Sequence, residues 1–376
     1  MAGSAVVSAA LEESERVFVA SQWQLVWWRF RRHTLALIAV FVVVCFYVVA
    51  AGAEFLSASD PTESNKRYTF LSPQKIRWFD GGFHPYVVEM KGERDPVTLK
   101  KTYVEQPDVK IPIRFFVRGF EYNFLGIIPT DRHLMGLGAE NIGDRHDIYM
   151  LGTDKLGRDL WARIMHGTRV SMTIGLVGVV IALILGVSLG GISGFYGGPI
   201  DTIIQRSIEI LRSIPTIPLW MGLAAAVPKS WSILQIYFAI TIIISVIGWT
   251  EMARVVRGRF LSLREEDFVT AAHLAGASEM RIIFRHMVPS FLSHIIAATT
   301  LAVPFMIISE TALSFLGVGL RDPAISWGVL LQAAQNLETV ALYPWLMIPA
   351  VVVIVAVLAL NFAGDGIRDA ADPYGK

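Results

Sequence analysis

The chain reads as an all-α membrane protein of six transmembrane helices, with an extracytoplasmic insertion of β-rich character between the first and the second. Three observations predict this. First, 53% of the 376 residues are hydrophobic and the mean hydropathy is positive, which is apolar for a soluble protein and ordinary for a polytopic membrane one. Second, residues 34–53, 170–200, 230–250 and 340–363 contain no Asp, Glu, Lys or Arg, and 287–309 carries only His294. Each meets the length of about 20 apolar residues that a crossing needs. Third, the arginines segregate. Arg16, Arg29, Arg31 and Arg32 precede the first run, and Arg254, Arg257, Arg259, Arg264, Arg281 and Arg285 fill the loop after the fourth. Of the short loops on the other side, that between the third and fourth crossings holds only Lys229 and that between the fifth and sixth only Arg321, so the positive-inside rule puts both termini in the cytoplasm.

The elements follow in order. Residues 1–33 form a cytoplasmic tail. Within it, 12–33 is amphipathic, with Trp23, Trp27, Trp28 and Phe30 beside Arg29, Arg31 and Arg32, the composition of a helix lying in the headgroup layer. The first apolar run begins at Thr34, is too long for a signal-peptide core and lacks a small-residue cleavage pattern, so 34–56 is an uncleaved first crossing. Residues 57–168 form the insertion, long enough for a small folded domain. It carries strand-like runs at 85–90 and 109–117 and many aromatics, including Tyr68, Phe70, Trp78, Phe79, Phe83, Tyr86, Phe115, Phe116, Phe120, Tyr122 and Phe124, which are expected to form its core. Residues 169–363 form the transmembrane core. Its third crossing is short over 213–228, contains Pro215 and Pro218, and extends back towards Asp201 with Arg206, Glu209 and Arg212 at the headgroups. A cytoplasmic loop spans 251–287, and 364–376 is a cytoplasmic tail.

Composition excludes several chemistries. A net charge of +1 without a basic face gives no nucleic-acid footprint, and one cysteine, Cys45, allows no internal disulfide. The run from Gly152 to Gly157 has phosphate-loop glycine spacing, but Arg158 and Asp159 stand where Lys and Ser/Thr belong. Ser188 and Ser193 sit in Gly-x-Ser-x-Gly-like contexts, and a Ser193–His294 dyad of an intramembrane serine protease is the alternative reading. A Gly/Ser-rich helix yields such matches by chance, and the nucleophile elbow needs a strand-to-helix turn. Asp131, His133, Asp144, His146 and Asp147 cluster in sequence, yet each Asp-Arg-His run carries an arginine, which disfavours a cation, so no metal site is expected. A stand-alone secondary transporter should show an internal repeat, and none is found.

Other residues carry positional meaning. Gly178, Ala182, Gly186, Gly190 and Gly194 recur every four residues and give one helix face a smooth packing stripe. Arg158, Arg163 and Arg169 precede the second crossing. Such arginines pair with carboxylates such as Asp154 and Asp159 or with lipid headgroups, and Arg158 and Arg169 are also candidates to meet a substrate or receptor. Glu310, at the outer end of the fifth crossing, is costly there without water or a partner, and either meets a receptor or caps the following turn. In the cytoplasmic loop, residues 265–289 read as a helix over 268–275, a break at Gly276 and a second amphipathic helix over 280–286 before Pro289. A short helix held across the end of a bundle can pass a push from a soluble partner to the membrane helices.

Residues 265–289 resemble the cytoplasmic loop of permease subunits of bacterial binding-protein-dependent ABC importers. There the pattern is Glu-Ala-Ala, three residues, Gly, then a hydrophobic-Pro ending; Ala271, Ala272, Gly276 and Pro289 fit, while Thr270 stands where the family has glutamate, with Glu265, Glu266 and Asp267 just upstream. The run 31–38 is similar to the start of the first crossing of the peptide-type permeases, and 151–159 with Arg163, Gly167, Arg169 and Ser171 to the stretch before their second. The run 313–319 with Pro323, Ser326, Trp327 and Gly328 is similar to the loop after their fifth crossing, and 361–369 with Asp372 and Pro373 to their C-terminus. The resemblance covers about 20–56 and 150–376 and points to the C-type subunit of a dipeptide/oligopeptide/nickel-type importer. It implies no enzyme and no cofactor in this chain, with ATP and Mg held by partners. The partners implied are a B-type permease, two ATPase subunits, an extracytoplasmic substrate-binding protein and membrane lipid. The coupling residues implied are Glu266, Asp267, Thr270, Ala271, Ala272, Gly276, Ala277, Arg285, His286 and Pro289. The substrate implied is a short peptide; relatives of this type also carry oligosaccharides, opines or nickel.

Overall fold

The computed structural model describes residues 22–79, 82–94, 96, 101–137, 148–228 and 230–371. All of 12–21, Arg16 included, and Asp144, His146, Asp147, Lys229, Asp372 and Pro373 lie outside the described residues.

Five described helices are long and apolar enough to cross a membrane. They are α2 (Thr34–Ala51), α3 (Leu160–Tyr196), α6 (Ile233–Leu263), α8 (Leu292–Phe315) and α10 (Ile348–Ala371), the last entered through a 3₁₀ turn at Pro344–Met347. A short α1 (Gln22–Phe30) precedes α2, its Trp27 and Trp28 exposed and its Phe30 buried against Ala36 and Ala370. The expected third crossing is not one helix. The chain forms an amphipathic α4 (Gly198–Ser213), breaks at Ile214 and Pro215, and continues as a ten-residue apolar α5 (Thr216–Ala225). The physical reason is Pro215: its missing N–H and fixed φ end α4, and it then starts α5.

Helix α3 has 37 residues, about 55 Å, and begins ten residues before the apolar run. Asp159 sets that start, its carboxylate accepting from the Trp161 and Ala162 N–H groups at 3.0 and 3.3 Å. Arg163 and Arg169 therefore lie on the helix, not ahead of it. The glycines Gly178, Gly186, Gly190 and Gly194 turn towards α6. A Cβ at Gly190 would stand 2.5 Å from the Ala253 carbonyl oxygen and one at Gly194 2.8 Å from that of Arg257, whereas at Gly178 it would stand 3.4 Å from the Ser245 Oγ. Ala182 is buried in the main core with Ile244, Trp249 and Met306.

Between α2 and α3 the chain builds a four-stranded antiparallel sheet in the order β1-β2-β3-β4: β1 (Arg77–Phe79), β2 (Phe83–Arg94), β3 (Lys101–Phe124) and β4 (Ile128–Leu137). Strand β3 pairs its first half with β2 and its second half with β4, so one long strand joins two hairpins. The expectation that the aromatics form the core is corrected. Tyr68 is buried, but Trp78, Phe79, Phe83, Phe115 and Phe116 are exposed, and the packed positions are Val87, Ile111, Ile113 and Ile148. A sheet covered on one face buries only alternate residues, and the aliphatic side chains of β2 and β3 occupy that face.

Candidate functional site

Residues 264–291 close one end of the bundle. Helix α7 (Asp267–Leu274) begins one residue earlier than the periodicity indicates and inserts Val269 into a core with Phe260, Ile282, Ile283 and Met287. Gly276 follows with φ +77°, a left-handed conformation that favours glycine, and the Ala277 N–H donates back to the Ala272 carbonyl at 3.1 Å. A Cβ at Gly276 would touch nothing, so the glycine serves the turn and not a close approach. The second helix differs from the expectation: after Glu279–Arg281 the chain adopts a π-helical stretch, Ile282–Met287, before Val288–Ser290. The wider turn keeps Ile282, Ile283 and Met287 all buried, which a 3.6-residue period does not manage as well.

The outer face of this loop is open. Leu274 is 86% exposed, Phe268 40%, Met280 46% and Phe284 46%. Glu266, Asp267, Thr270, Ala271, Gly276, Arg285 and Pro289 are exposed, with Ala272, Ala277 and His286 half-buried. His273 stacks on Phe195 of α3 at 5.9 Å, which ties α7 to the end of that helix. The arrangement is an inner face packed into the bundle and an apolar outer face with charged residues around it, an exposed patch of the kind that marks interaction surfaces.

At the opposite end of α3 two charge clusters join distant segments. Arg158 donates from Nε to Asp154 at 2.7 Å and from Nη1 and Nη2 to Asp322 at 2.8 and 3.3 Å. Arg163 adds a bond to Asp322 at 3.3 Å. Burial pushes the Asp322 carboxyl up, but the Arg158 and Arg163 guanidinium groups hold it below the usual carboxylate range. Arg169 holds both Glu54 oxygens and donates from Nε to the Ala50 carbonyl at 2.7 Å, which caps the end of α2. Asp154 is thus a local partner of these arginines, whereas Asp159 is the α3 cap. Asp322 was missed because it lies 164 positions from Arg158.

The Asp322 cluster gives a pH prediction. A carboxyl whose folded pKa lies below its ordinary value of about 3.9 contributes stability that is present above that value and lost as pH falls through the folded pKa. Detergent-solubilised protein should therefore lose thermal stability more steeply than Asp322→Asn as pH drops from about 5 to below 4. Parallel unfolding curves for the two across that window would remove Asp322 as the acid-sensitive group.

Glu310 has no exposed surface. Its Oε1 accepts from Ser314 and Ser326 Oγ, each at 2.7 Å, and its Oε2 from Ser171 Oγ at 3.3 Å. The same hydroxyls accept backbone N–H groups: Ser314 from Leu320, Ser326 from Val329 and Ser171 from Trp327, at 3.0, 3.3 and 3.1 Å. Ser326 thereby caps α9 (Trp327–Gln332), and Trp327 is fully buried against α3 with its indole N–H on Thr168. The carboxylate knots α3, α8 and α9 together.

The protease reading finds no support in geometry. Ser193 Oγ donates to Asp201 at 2.5 Å and accepts from Gln205, and Asp201 is held by Arg257 through two bonds of 2.6 Å. His294 lines a separate cavity with Glu251 and Arg368. In the insertion, both His133 ring nitrogens lie against carbonyls, of Glu54 at 2.8 Å and Phe120 at 3.0 Å, and Asp131 pairs with Arg118. Among the described residues no group of three or more His, Cys, Asp or Glu is placed to hold a metal ion.

Comparison with known proteins agrees with this arrangement. The family model for the binding-protein-dependent transport system inner membrane component matches residues 159–374, and that for the N-terminal TM domain of oligopeptide transport permease C matches 21–73. Most of the β-sheet segment falls between the two matches. The oligopeptide transport system permease protein OppC of Bacillus subtilis is 39% identical over 226 residues, 60% of this chain and 72% of that protein. The dipeptide transport system permease protein DppC of the same organism is 34% identical over 277 residues, 73% of this chain and 83% of that protein. OppC of Haemophilus influenzae is 39% identical over 227 residues, 60% of this chain and 70% of its own length. With more than half of its residues inside the family match, and its glycine-lined α3 and closing loop both in that part, the chain belongs to the binding-protein-dependent transport system inner membrane components, the permease subunits of ABC transporters.

Proposed function

We propose that this chain is the C-type subunit that forms half of the pathway by which short peptides enter a bacterial cell, driven by separate ATPase subunits docked on residues 264–291. The observation that carries the reading is the exposed apolar face of that loop, with Leu274 86% exposed on a helix whose other side is locked into the bundle. Peptides come from the printed names of the relatives, which are oligopeptide and dipeptide permeases. The remaining parts of the machine are a B-type permease, two ATPase subunits that hold ATP and Mg, and an extracytoplasmic binding protein. The chain crosses the inner membrane six times, with α4 and α5 together as the broken third crossing, and both termini are cytoplasmic. The sheet then lies outside and closure of the ATPases tilts α7, which biases the bundle between two states.

The test uses the assembled complex. A cysteine at Ala272 should crosslink to an ATPase subunit. Gly276→Asp and Ala272→Trp should leave the protein in the membrane while peptide uptake falls at least tenfold and ATP hydrolysis no longer responds to loaded binding protein. Normal uptake with both changes, or crosslinking only from the outer side, rejects the reading.

A further inference from the structure

A cavity of about 790 Å³ opens between the end of α4, the start of α5, the inner halves of α6 and α8, and the end of α10. Its wall along α8 is apolar, from Ala297 to Phe305 and Met306, and α6 contributes Ile247 and Gly248. Its rim is charged. Arg212 and Glu251 pair with each other across it, while His294 and Arg368 line it as well. Among the described residues Arg368 has no ion-pair partner, and His294 stands within electrostatic reach of both Arg368 and Arg259. One carboxylate therefore faces two lining arginines and a third nearby, so the rim carries an unbalanced positive charge at the end of the bundle where α7 sits.

Ionisable side chains that line a water-accessible cavity at the end of a membrane helix bundle mark substrate and ion pathways. The volume lies within the range of about 300–1,000 Å³ that encloses small ligands. We infer that this cavity receives the transported peptide on its way to the cytoplasm, with Arg368 taking the C-terminal carboxylate and the α8 wall taking side chains of any apolar kind. The inference rests on the peptide reading above. An arginine can hold a carboxylate through two parallel bonds, and an anion that every peptide carries suits a site that must accept many sequences. Between Ala297 and Met306 the wall offers no polar side chain that would select among peptide side chains.

The test is photo-crosslinking in the complete reconstituted transporter. A benzophenone amino acid replaces Phe305, half-exposed on the cavity wall, and a tripeptide is presented in the nucleotide-free state. The expected result is a labelled peptide, a yield at least tenfold lower for Arg368→Gln, partial recovery in Arg368→Lys, which keeps the charge but not the two-bond fork, and a loss like that of Arg368→Gln in the wild-type background when the peptide is C-terminally amidated. The amidated peptide keeps the test decisive if Arg368→Gln fails to assemble. Capture of the companion permease in place of peptide, or equal yields with free and amidated peptides, overturns the inference. Normal peptide uptake alongside either outcome sinks the cavity assignment alone; absence of peptide uptake by the wild-type complex sinks the transport reading itself.

Discussion

Glu310→Ala should lower the stability of the detergent-solubilised protein by about 2–5 kcal/mol, the range for truncating a buried side chain to alanine while its hydrogen-bond partners lose their acceptor. The substitution leaves three serine hydroxyls, on Ser171, Ser314 and Ser326, without their acceptor in a site closed to water. Each orphaned hydroxyl costs about 1–3 kcal/mol, and the losses are not additive because the three share one acceptor. The damage should spread, since the same hydroxyls fix the Leu320, Trp327 and Val329 amides. Glu310→Gln keeps one oxygen for Ser314 and Ser326 and turns an N–H towards Ser171, so it should lose less than half as much. Thermal unfolding followed by intrinsic fluorescence reads both, and the alanine variant should unfold at the lower temperature. An alanine variant as stable as the parent would mean that the cage does not hold α9 in place.

How much of this was legible in the sequence depended on the range of the interaction. The apolar runs gave the long helices because a crossing is a local property of about 20 residues. The start of α3 was misread because the search was for uncharged residues, and Arg163 and Arg169 lie on the helix with carboxylates that only the fold brings to them. Glu310 was visible as a lone charge, but its partners lie 139, 4 and 16 positions away, and only the 4-residue spacing to Ser314 is a helical signal. The Gly276 break was readable because a left-handed turn leaves a residue signature, whereas the π-helical stretch at Ile282–Met287 has none that differs from an amphipathic helix. The aromatics of the insertion misled for the opposite reason. Residue type favours burial, but the number of faces that a four-stranded sheet can cover decides which of them are buried. The cavity ringed by Arg212, Glu251, His294 and Arg368 assembles four separate segments and left no trace in the linear order.

Gly190→Leu should prevent a stable α3–α6 pairing and remove the protein from the membrane fraction or leave it unable to assemble. The reason is what lies opposite. A Cβ at position 190 would stand 2.5 Å from the Ala253 carbonyl oxygen and 2.8 Å from the Ala253 Cα, both backbone atoms that cannot rotate away. Overpacking in a well-packed core costs about 1–3 kcal/mol when side chains can yield, and here the helices themselves must separate, so the loss should reach or exceed the top of that range. Separation would also pull Ser245 from the Gly178 carbonyl, which it bonds at 3.0 Å, and part the Asp201–Arg257 pair beyond the end of the same contact. The stripe should grade the effect. Gly186→Ala and Gly194→Ala, with clashes of 2.5 and 2.6 Å against Met252 and Phe260 Cβ atoms, should be severe, and Gly178→Ala, at 3.4 Å from a serine hydroxyl, mild. Gly258→Ala is the control. It lies on α6, its added methyl meets nothing within 4 Å, and the gain in helix propensity of about 1 kcal/mol should make it neutral or stabilising. Size-exclusion profiles and melting temperatures of the five variants in one detergent would order them. A Gly190→Leu protein that melts with the Gly258→Ala control would mean that α3 and α6 do not approach as closely as their backbones indicate.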